Sequence, residues 1–531
     1  MRLKPQHHKI LYLTGLLLIA VGLPLSRALM SIGMMWVAGS WLLSGDFKAK
    51  WTRLKGIPAV WIFVSIYVLH LLGLAWTNDF DYALKDLRIK LPMLFFPLVV
   101  ASNGNLPRLH WRILEGVFIA ALFVGTCIST AVWLGWTWHT INDIRDISLF
   151  ISHIRFGLLI AVAVFLLLRH LLVRQGAPGQ KLGALLLVLW FLCFLVILQA
   201  FTALLALLVT GYLFMLRAAW RQSKPRVKWS LGLVLLLVPL VFGSYMMHEV
   251  RSFLPLNEPP WENLEAHSPR GEGYLHAPDR PSVESGRYVF RYVAHEELKT
   301  AWEARSSISI DSLDLKGNHM KTTVLRYMTS RGLRKDLDGV AQLRDDEIKA
   351  IESGVANERF LHGNGFSNRI YKVIWQWYYY SIGHNPEGNS VTQRMEFWKT
   401  GWWIACNHWV MGVGTGDVPS AFEEAYQATD TELKERYRYR AHNQYLTILL
   451  TFGVPGFLWF LLALWLPPVL EGRMGDFSFL AFFTIATVSM INEDTIETQA
   501  GVTFVVFLYC MLLWARPIQR YPKLDAQRAD D

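Results

Sequence analysis

Cysteine is scarce in this sequence, which has only four among 531 residues. Cys127, Cys193 and Cys510 lie in long apolar runs, so only Cys406 falls in a polar region. A single cysteine outside the apolar runs cannot build a disulfide framework, and no cysteine or histidine spacing matches a zinc site. We therefore predict no disulfide-stabilised domain, no bound metal and no cofactor.

Charged residues are also scarce. Asp, Glu, Lys and Arg make up 18% of the residues, whereas hydrophobic residues make up 53% and tryptophan occurs 23 times. This composition is too apolar for a soluble protein of this length. The few charges are concentrated between apolar runs, and we therefore predict an all-α polytopic membrane protein.

About twelve apolar runs have a length near that of a membrane span, although several are shorter than the roughly 20 residues that a straight span needs. The run from 181 to 217 is too long for one span, so we divide it at Gln199. The predicted spans are approximately 10–26, 27–44, 57–76, 88–102, 111–136, 151–170, 182–198, 200–217, 229–247, 442–467, 477–491 and 499–515.

Lysine and arginine fall mainly in alternate short loops, which predicts that both termini are cytoplasmic. The net charge of +10 is then a topology signal rather than a nucleic-acid-binding surface. No cleavable signal peptide is evident. The predicted organisation is a first membrane part at 1–247, a large, mostly helical outer loop domain at 248–441, a second membrane part at 442–515 and a cytoplasmic tail at 516–531.

This topology brings polar residues from distant parts of the chain to one membrane face. Arg155 enters a span at its outer end, where it is either an arginine that extends to the interface or a guanidinium directed at a diphosphate. Glu493, Asp494 and Glu497 lie at the outer edge of the last two spans. These carboxylates either orient His442, pair with arginines or are solvated loop acids.

Two segments near the C-terminal spans carry the most specific pattern. In SVTQRMEFWKTGWW, Ser390 can cap a helix that bears Arg394, and the following MGVGTG, with Gly414, offers backbone N–H groups as an anion cradle. Flexible turns have the same glycine pattern. In YRYRAHNQYLTILLTFGVPG, Arg440, His442 and Asn443 directly precede an apolar run, so a proton-accepting side chain stands at a membrane face.

Together these segments resemble the O-antigen ligase and O-antigen polymerase superfamily, most closely O-antigen ligase. The resemblance implies a GT-C-like fold in the bacterial inner membrane, with the active site facing the periplasm. It also implies an inverting, metal-independent glycosyltransferase that moves an O-antigen-type glycan from undecaprenyl pyrophosphate to an acceptor hydroxyl, for example on lipid A-core. Arg394 would then contact the pyrophosphate.

One position departs from the family pattern. Many members carry an arginine at the turn between the seventh and eighth spans, where this chain has Phe201. Arg155 is our candidate to replace it, beside Arg394 and Arg440, in binding the pyrophosphate. His442 is the predicted base, Asn443 would fix its tautomer or the acceptor, and the supporting residues are Glu493, Asp494, Glu497 and Gly414.

Two alternatives to the ligase remain open. An O-antigen polymerase or a protein O-oligosaccharyltransferase has the same chemistry and differs in its acceptor. A transporter of lipid-linked sugars is the third hypothesis, but it should carry ionisable residues near the middle of the bilayer. Here such residues gather at one face, which favours an enzyme.

Overall fold

The computed structural model describes residues 5–137, 139, 144–173, 177–362, 365–387, 389–429, 431 and 433–517. Within these residues the helices are joined by turns and loops, and the named strands form one short antiparallel pair, β1 (Val283–Glu284) and β2 (Arg287–Tyr288), in which Val283 is opposite Tyr288. The prediction of an all-α polytopic membrane protein is confirmed. Nearly all of the predicted tail at 516–531 lies outside the described residues.

The helices, in chain order, are α1 (Pro5–Leu25), α2 (Arg27–Leu43), α3 (Phe47–Lys55), α4 (Pro58–Leu72), α5 (Phe80–Lys90), α6 (Pro92–Asn103), α7 (Arg108–Trp133), α8 (His153–Val173), α9 (Pro178–Ile197), α10 (Phe201–Trp220), α11 (Pro225–Phe253), α12 (His295–Glu303), α13 (Met320–Arg331), α14 (Leu337–Ala341), α15 (Asp345–Glu352), α16 (Arg359–His362), α17 (Gly365–Ser381), α18 (Ser390–Asn407), α19 (Val418–Ala428), α20 (Gln444–Leu470), α21 (Phe477–Ser489) and α22 (Gln499–Cys510).

Each predicted span coincides with a helix. Among the described residues, eight helices are long and apolar enough to cross a membrane, or up to nine if α2 and α3, bent by 107° at their junction, form one broken span. The helices α21 and α22 are apolar but shorter. The predicted division at Gln199 is confirmed, because α9 ends at Ile197, α10 begins at Phe201, and Gln199 has a φ of 52°.

The chain divides into two compact units. Unit 1 comprises Met1–Ala218, Phe397–Thr431 and Arg438–Asp531, and unit 2 comprises Ala219–Glu396 and Glu432–Tyr437. The boundary between Glu396 and Phe397 falls inside α18.

In unit 1 a single large apolar core joins the helices, with α1 packed on α2 and α7, α4 on α20, α8 on α9 and α21, and α6 on α22. α20 is interrupted at Gly453, whose φ is 66°. A Cβ at this position would lie 2.3 Å from the carbonyl oxygen of Val410, so only glycine allows the segment before α19 to approach so closely. α20 thereby holds residues 409–415 against its first half.

Unit 1 has two distinct ends. The His442 end contains the start of α20, the start of α8 and the loop 490–498 between α21 and α22. The opposite end contains the start of α7, the last turns of α8 and α20, and Arg516 after α22. At that opposite end, Arg473 donates hydrogen bonds to the carbonyl oxygens of Leu513 (3.1 Å) and Arg516 (2.9 Å).

Unit 2 contains a small helical layer between residues 295 and 352. The structure places α12, α13 and α15 there, packed around buried Trp302, Tyr327 and Ile351. A second cluster joins Phe253 of α11, Val283 and Tyr371 of α17. Only 6% of the most apolar window of α11 is buried, so this helix exposes apolar side chains on all sides, as a span surrounded by lipid does.

Candidate active site

The backbone around His442 is organised by the carboxylate of Asp494. The N–H groups of His442 and Asn443 donate to its two oxygens, each at 3.1 Å, and the hydroxyl of Thr447 donates at 2.8 Å. His442 has a φ of 47°, a left-handed conformation that is uncommon for a residue with a side chain. Asp494 therefore holds the predicted base in a backbone conformation that the local sequence does not favour.

The side chain of Asn443 forms a hydrogen bond with the backbone. Its side-chain oxygen accepts a hydrogen bond of 3.1 Å from the N–H of Leu446 and so caps the N-terminus of α20. The structure thus shows Asn443 as a helix cap. Its predicted role in fixing the imidazole tautomer or the acceptor stays a prediction.

The imidazole of His442 lies between aromatic rings and a carboxylate. The ring centroids of Phe397 and Tyr439 are 5.7 Å and 6.2 Å away. Glu493 Oε2 lies 3.8 Å from Nδ1, which is beyond hydrogen-bonding distance but close enough for a charge to favour a proton on Nδ1. The His442 side chain is 36% exposed, so part of the imidazole is accessible to a substrate.

Glu497 is the centre of a buried charge cluster beside His442. Its carboxylate accepts from Lys90 Nζ at 2.9 Å, Gln444 Nε2 at 2.8 Å and Arg440 Nη1 at 3.3 Å. Lys90 also contacts Asp86 at 2.6 Å. The side chains of Lys90 and Glu497 are 3% and 7% exposed, so these charges are paired with one another rather than with water.

The charges of this cluster shift the titration of its carboxyl groups. Burial raises the pKa of Asp494, and the nearby negative charge of Glu497 adds to that effect. Burial alone would also raise the pKa of Glu497, but Lys90 and Arg440 outweigh it and lower the pKa below its ordinary value. Glu497 is therefore ionised and can hold both cations.

Lys90 and Asp86 are site residues that the sequence reasoning missed. Their spacing of four residues on α5 is a signal for a helical ion pair. Lys90 also stands at the start of a predicted span, where an ionisable residue is by default a candidate for function. Only the fold, however, brings Lys90 to Glu497.

Arg155 lies at the same end of unit 1 as His442. Its Nε is buried and has no hydrogen-bond partner in the described part of the chain, and Glu493 and Arg27 act on it electrostatically. A Cβ on Gly157, one half-turn along α8, would lie 2.8 Å from Ala200 and 2.9 Å from Ala203. Because residues two apart on a helix point to roughly opposite sides, Arg155 faces away from the turn that carries Phe201, and its Nε lies against the start of α22, 3.2 Å from where a Cβ on Gly501 would stand.

The predicted anion cradle at MGVGTG is wrong. The N–H groups of Val413 and Gly414 donate to the carbonyl oxygens of Leu450 and Thr451, both at 2.9 Å, and that of Gly416 donates to the Thr77 hydroxyl at 2.9 Å. These donors hold the segment against α20 and are not available to an anion. Gly414, with a φ of 90°, supports the fold of the site rather than a ligand.

Arg394 belongs to unit 2, in the part of α18 that precedes the unit boundary. Its Nη1 donates to the Ser390 carbonyl oxygen within its own helix at 3.4 Å. α18 begins at Ser390, as predicted. A pyrophosphate contact by Arg394 stays a prediction.

A cavity of about 600 Å³ opens in unit 1 beside the segment 409–417. One wall is fixed by Asp417, whose carboxylate accepts from the N–H groups of Asn78 and Asp79 at 2.8 to 3.0 Å. The cavity is within the range of small-molecule sites. Its lining consists of Trp76, Asn78, Asp79, His408, Gly412, Val413, Asp417, Ser420, Ala421 and Glu424.

No group of three or more His, Cys, Asp or Glu side chains suited to a metal ion occurs within the ranges that the structure describes. Comparison with curated proteins finds no match. Residues 339–461 match the protein-family model described as O-antigen ligase, a stretch that begins in unit 2 and ends in α20. This match confirms the predicted resemblance. It begins at residue 339, before the segments from which the resemblance was recognised. Residues 339–461 are therefore assigned to the O-antigen ligase family.

Proposed function

We propose that the protein transfers an O-antigen-type glycan from undecaprenyl pyrophosphate to an acceptor hydroxyl at the periplasmic face of the bacterial inner membrane, with lipid A-core as acceptor. The family match supports a glycosyltransferase of the ligase or polymerase type. The observation that carries the proposal is the half-open imidazole of His442, held by Asp494 at the start of a membrane helix beside buried cations.

In the proposed reaction, Nε2 of His442 takes the proton of the acceptor hydroxyl. The acceptor oxygen forms a bond to the anomeric carbon while the bond from that carbon to the diphosphate oxygen breaks. General-base catalysis of this kind contributes about 10²- to 10⁴-fold in rate. Glu493, 3.8 Å from Nδ1, would stabilise the imidazolium that forms.

Arginines would stabilise the diphosphate as it leaves. Arg155 has an unused buried Nε and Arg440 keeps donors beyond the one that contacts Glu497, while Arg394 is carried over from the family motif. A fixed donor to a developing oxyanion contributes about 2.7 to 4 kcal/mol. Glu497 accepts hydrogen bonds from both Arg440 and Gln444, so it links the Arg440 side chain to the first turn of α20, which directly follows His442 and Asn443.

The ionisable residues favour this enzyme over a transporter of lipid-linked sugars. The charged groups around His442 lie at one end of unit 1, whereas alternating-access transporters bind substrate near the membrane midplane. These charged groups are Lys90, Arg440, Glu493, Asp494 and Glu497. A polymerase or a protein O-oligosaccharyltransferase would use the same groups with another acceptor.

The test is a transfer assay with purified protein. Undecaprenyl pyrophosphate-linked glycan is supplied with lipid A-core, with a second molecule of lipid-linked glycan, or with a peptide bearing serine and threonine, and the product is identified by mass spectrometry. We expect glycosylated lipid A-core. Product on either of the other acceptors would reassign the acceptor, and the absence of product on all three would contradict the proposal.

A further inference from the structure

The end of unit 1 opposite His442 carries a cleft lined mainly by arginine, here called the arginine cleft. It is small, with a volume of about 30 Å³. It lies where the start of α7, the end of α8 and the segment after α22 meet. Its lining residues are Arg108, Trp111, Arg112, Glu115, Arg169, Arg516 and Pro517.

Positive charge exceeds negative charge in the arginine cleft. Four arginines face one carboxylate of the lining, Glu115, which accepts from Trp111 Nε1 at 2.9 Å. Arg516 also forms an ion pair with Asp476. Arg108 and Arg112 are four residues apart on α7 and repel each other, so the cleft as a whole favours an anion.

Two of these arginines are withdrawn from water. Arg169 is 9% exposed and Arg516 is 3% exposed, whereas Arg108 and Arg112 are exposed at the rim. Arginines that only mark the cytoplasmic side of a membrane extend their guanidinium groups into water. The cleft therefore combines two buried and two exposed guanidinium groups.

An apolar groove adjoins the arginine cleft and shares Trp111 and Glu115 with it. It follows α7, α8 and α22 towards the middle of the bundle. It is small, with a volume of about 30 Å³, and apart from Trp111 and Glu115 the residues along it are buried. The other residues along it are Ala20, Leu114, Phe118, Val162, Leu166, Phe507, Leu508, Met511 and Leu512.

We propose that the arginine cleft binds the phosphate of an anionic phospholipid. Planar guanidinium groups suit a phosphate diester, and basic pockets between membrane helices are typical headgroup sites. The position of the cleft at the ends of the candidate membrane spans α7 and α8 favours a lipid over soluble phosphate. Trp111, at the junction of the cleft and the groove, stands where an interfacial indole is stable. This proposal is independent of the proposed glycan transfer.

The experiment is native mass spectrometry of the full-length protein in detergent, with phosphatidylglycerol or phosphatidylcholine added at equal concentration. We expect preferential retention of phosphatidylglycerol. Arg108→Gln and Arg112→Gln should each weaken it about fivefold, the effect of one basic residue at an anionic lipid surface. Lys48→Gln is the matched control, because Lys48 is exposed and lies outside the cleft.

Competition distinguishes the source of the phosphate. Glycerol phosphate and inorganic phosphate lack acyl chains and should not displace the lipid at equal concentration. Displacement by either would assign the cleft to soluble phosphate and overturn the lipid proposal. Equal retention of the two lipids, or equal loss in the Lys48→Gln control, would overturn it as well. Unchanged thermal unfolding of the variants without lipid ensures that they are compared as folded proteins.

Discussion

At the scale of the residue, His442 combines an unusual backbone with an accessible imidazole. The carboxylate of Asp494 and the cap by Asn443 fix its backbone, so the ring itself does little to hold the fold. We expect His442→Ala to fold, to bind lipid-linked glycan and to lower turnover about 10²- to 10⁴-fold. Single-turnover transfer and donor binding measure the two effects separately.

His110→Ala is the matched control for that variant, because His110 lies on α7 at the opposite end of unit 1. It should retain full turnover. Transfer by His442→Ala at nearly the wild-type rate would exclude His442 as the base and direct attention to Glu493, the carboxylate nearest its ring.

Arg155 differs from an arginine that only extends its guanidinium group to the membrane–water interface, because its Nε is buried without a hydrogen-bond partner among the described residues. If it binds the diphosphate in place of an arginine at Phe201, Arg155→Lys should lose much of the activity. Lysine keeps the charge but cannot form the bidentate contact. The measurement is transfer rate against donor concentration, and unchanged kinetics in Arg155→Ala would leave this residue with an interfacial role only.

The residues that sequence reasoning identified here were those whose partners are close in sequence or are supplied by a family motif. His442, Asn443 and the acidic group 493–497 stand in short recognisable segments. The role of Asn443 as a cap and the pairing of Lys90 with Glu497 depend on φ angles and on contacts between distant segments. Neither can be read from hydrophobic periodicity.

At the scale of the element, Glu497 joins α5 to the first turn of α20 through Lys90, Arg440 and Gln444. Glu497→Gln would leave buried cations without their main counter-charge. Breaking one partner of a buried ion pair destabilises a protein by about 3 to 5 kcal/mol. We expect a lower thermal unfolding temperature in detergent than for Glu387→Gln, whose lysine partner Lys434 has a side chain that is 65% exposed.

The ion pairs of Glu497 also predict a pH dependence of stability. The pKa of Glu497 is lowered in the folded protein, so its contribution is fully present above the ordinary pKa of glutamate. It is lost as the pH falls through the lowered folded value. Thermal unfolding of wild type should therefore lose stability on acidification in a step that Glu497→Gln lacks, and identical pH profiles would contradict the ion-pair assignment.

The break in α20 is a second property of an element. The sequence TFGVPG indicates an irregularity, but not that residues 409–415 pack into it. Gly453→Ala must adopt a φ of 66° and place a Cβ 2.3 Å from Val410, which should destabilise the protein by at least about 1 to 3 kcal/mol. Gly232→Ala in α11, where a Cβ meets nothing within 4 Å, is the control and should unfold like wild type.

At the scale of the whole molecule, composition and the distribution of lysine and arginine were sufficient to predict a helical polytopic protein with the helices near the expected positions. Hydropathy reports burial in lipid or protein, and both are apolar environments. It therefore predicted where α6, α21 and α22 lie and that their apolar runs are shorter than most spans, but not which helices they pack against. Packing between helices, which places Lys90 beside Glu497, leaves no periodic signal in the sequence.

The predicted topology places 248–441 and the His442 end of unit 1 outside the inner membrane, and the arginine cleft in the cytoplasm. Single cysteines introduced in a background without the four native ones test this placement in intact cells, after the outer membrane is made permeable. We expect a membrane-impermeant maleimide to label Ser312→Cys in unit 2, because residue 312 lies in the polar loop domain. Lys48→Cys and Lys224→Cys should be labelled only after the inner membrane is disrupted. Labelling of Lys48→Cys but not Ser312→Cys would invert the topology and place His442 on the wrong side for a donor glycan that has already crossed the membrane.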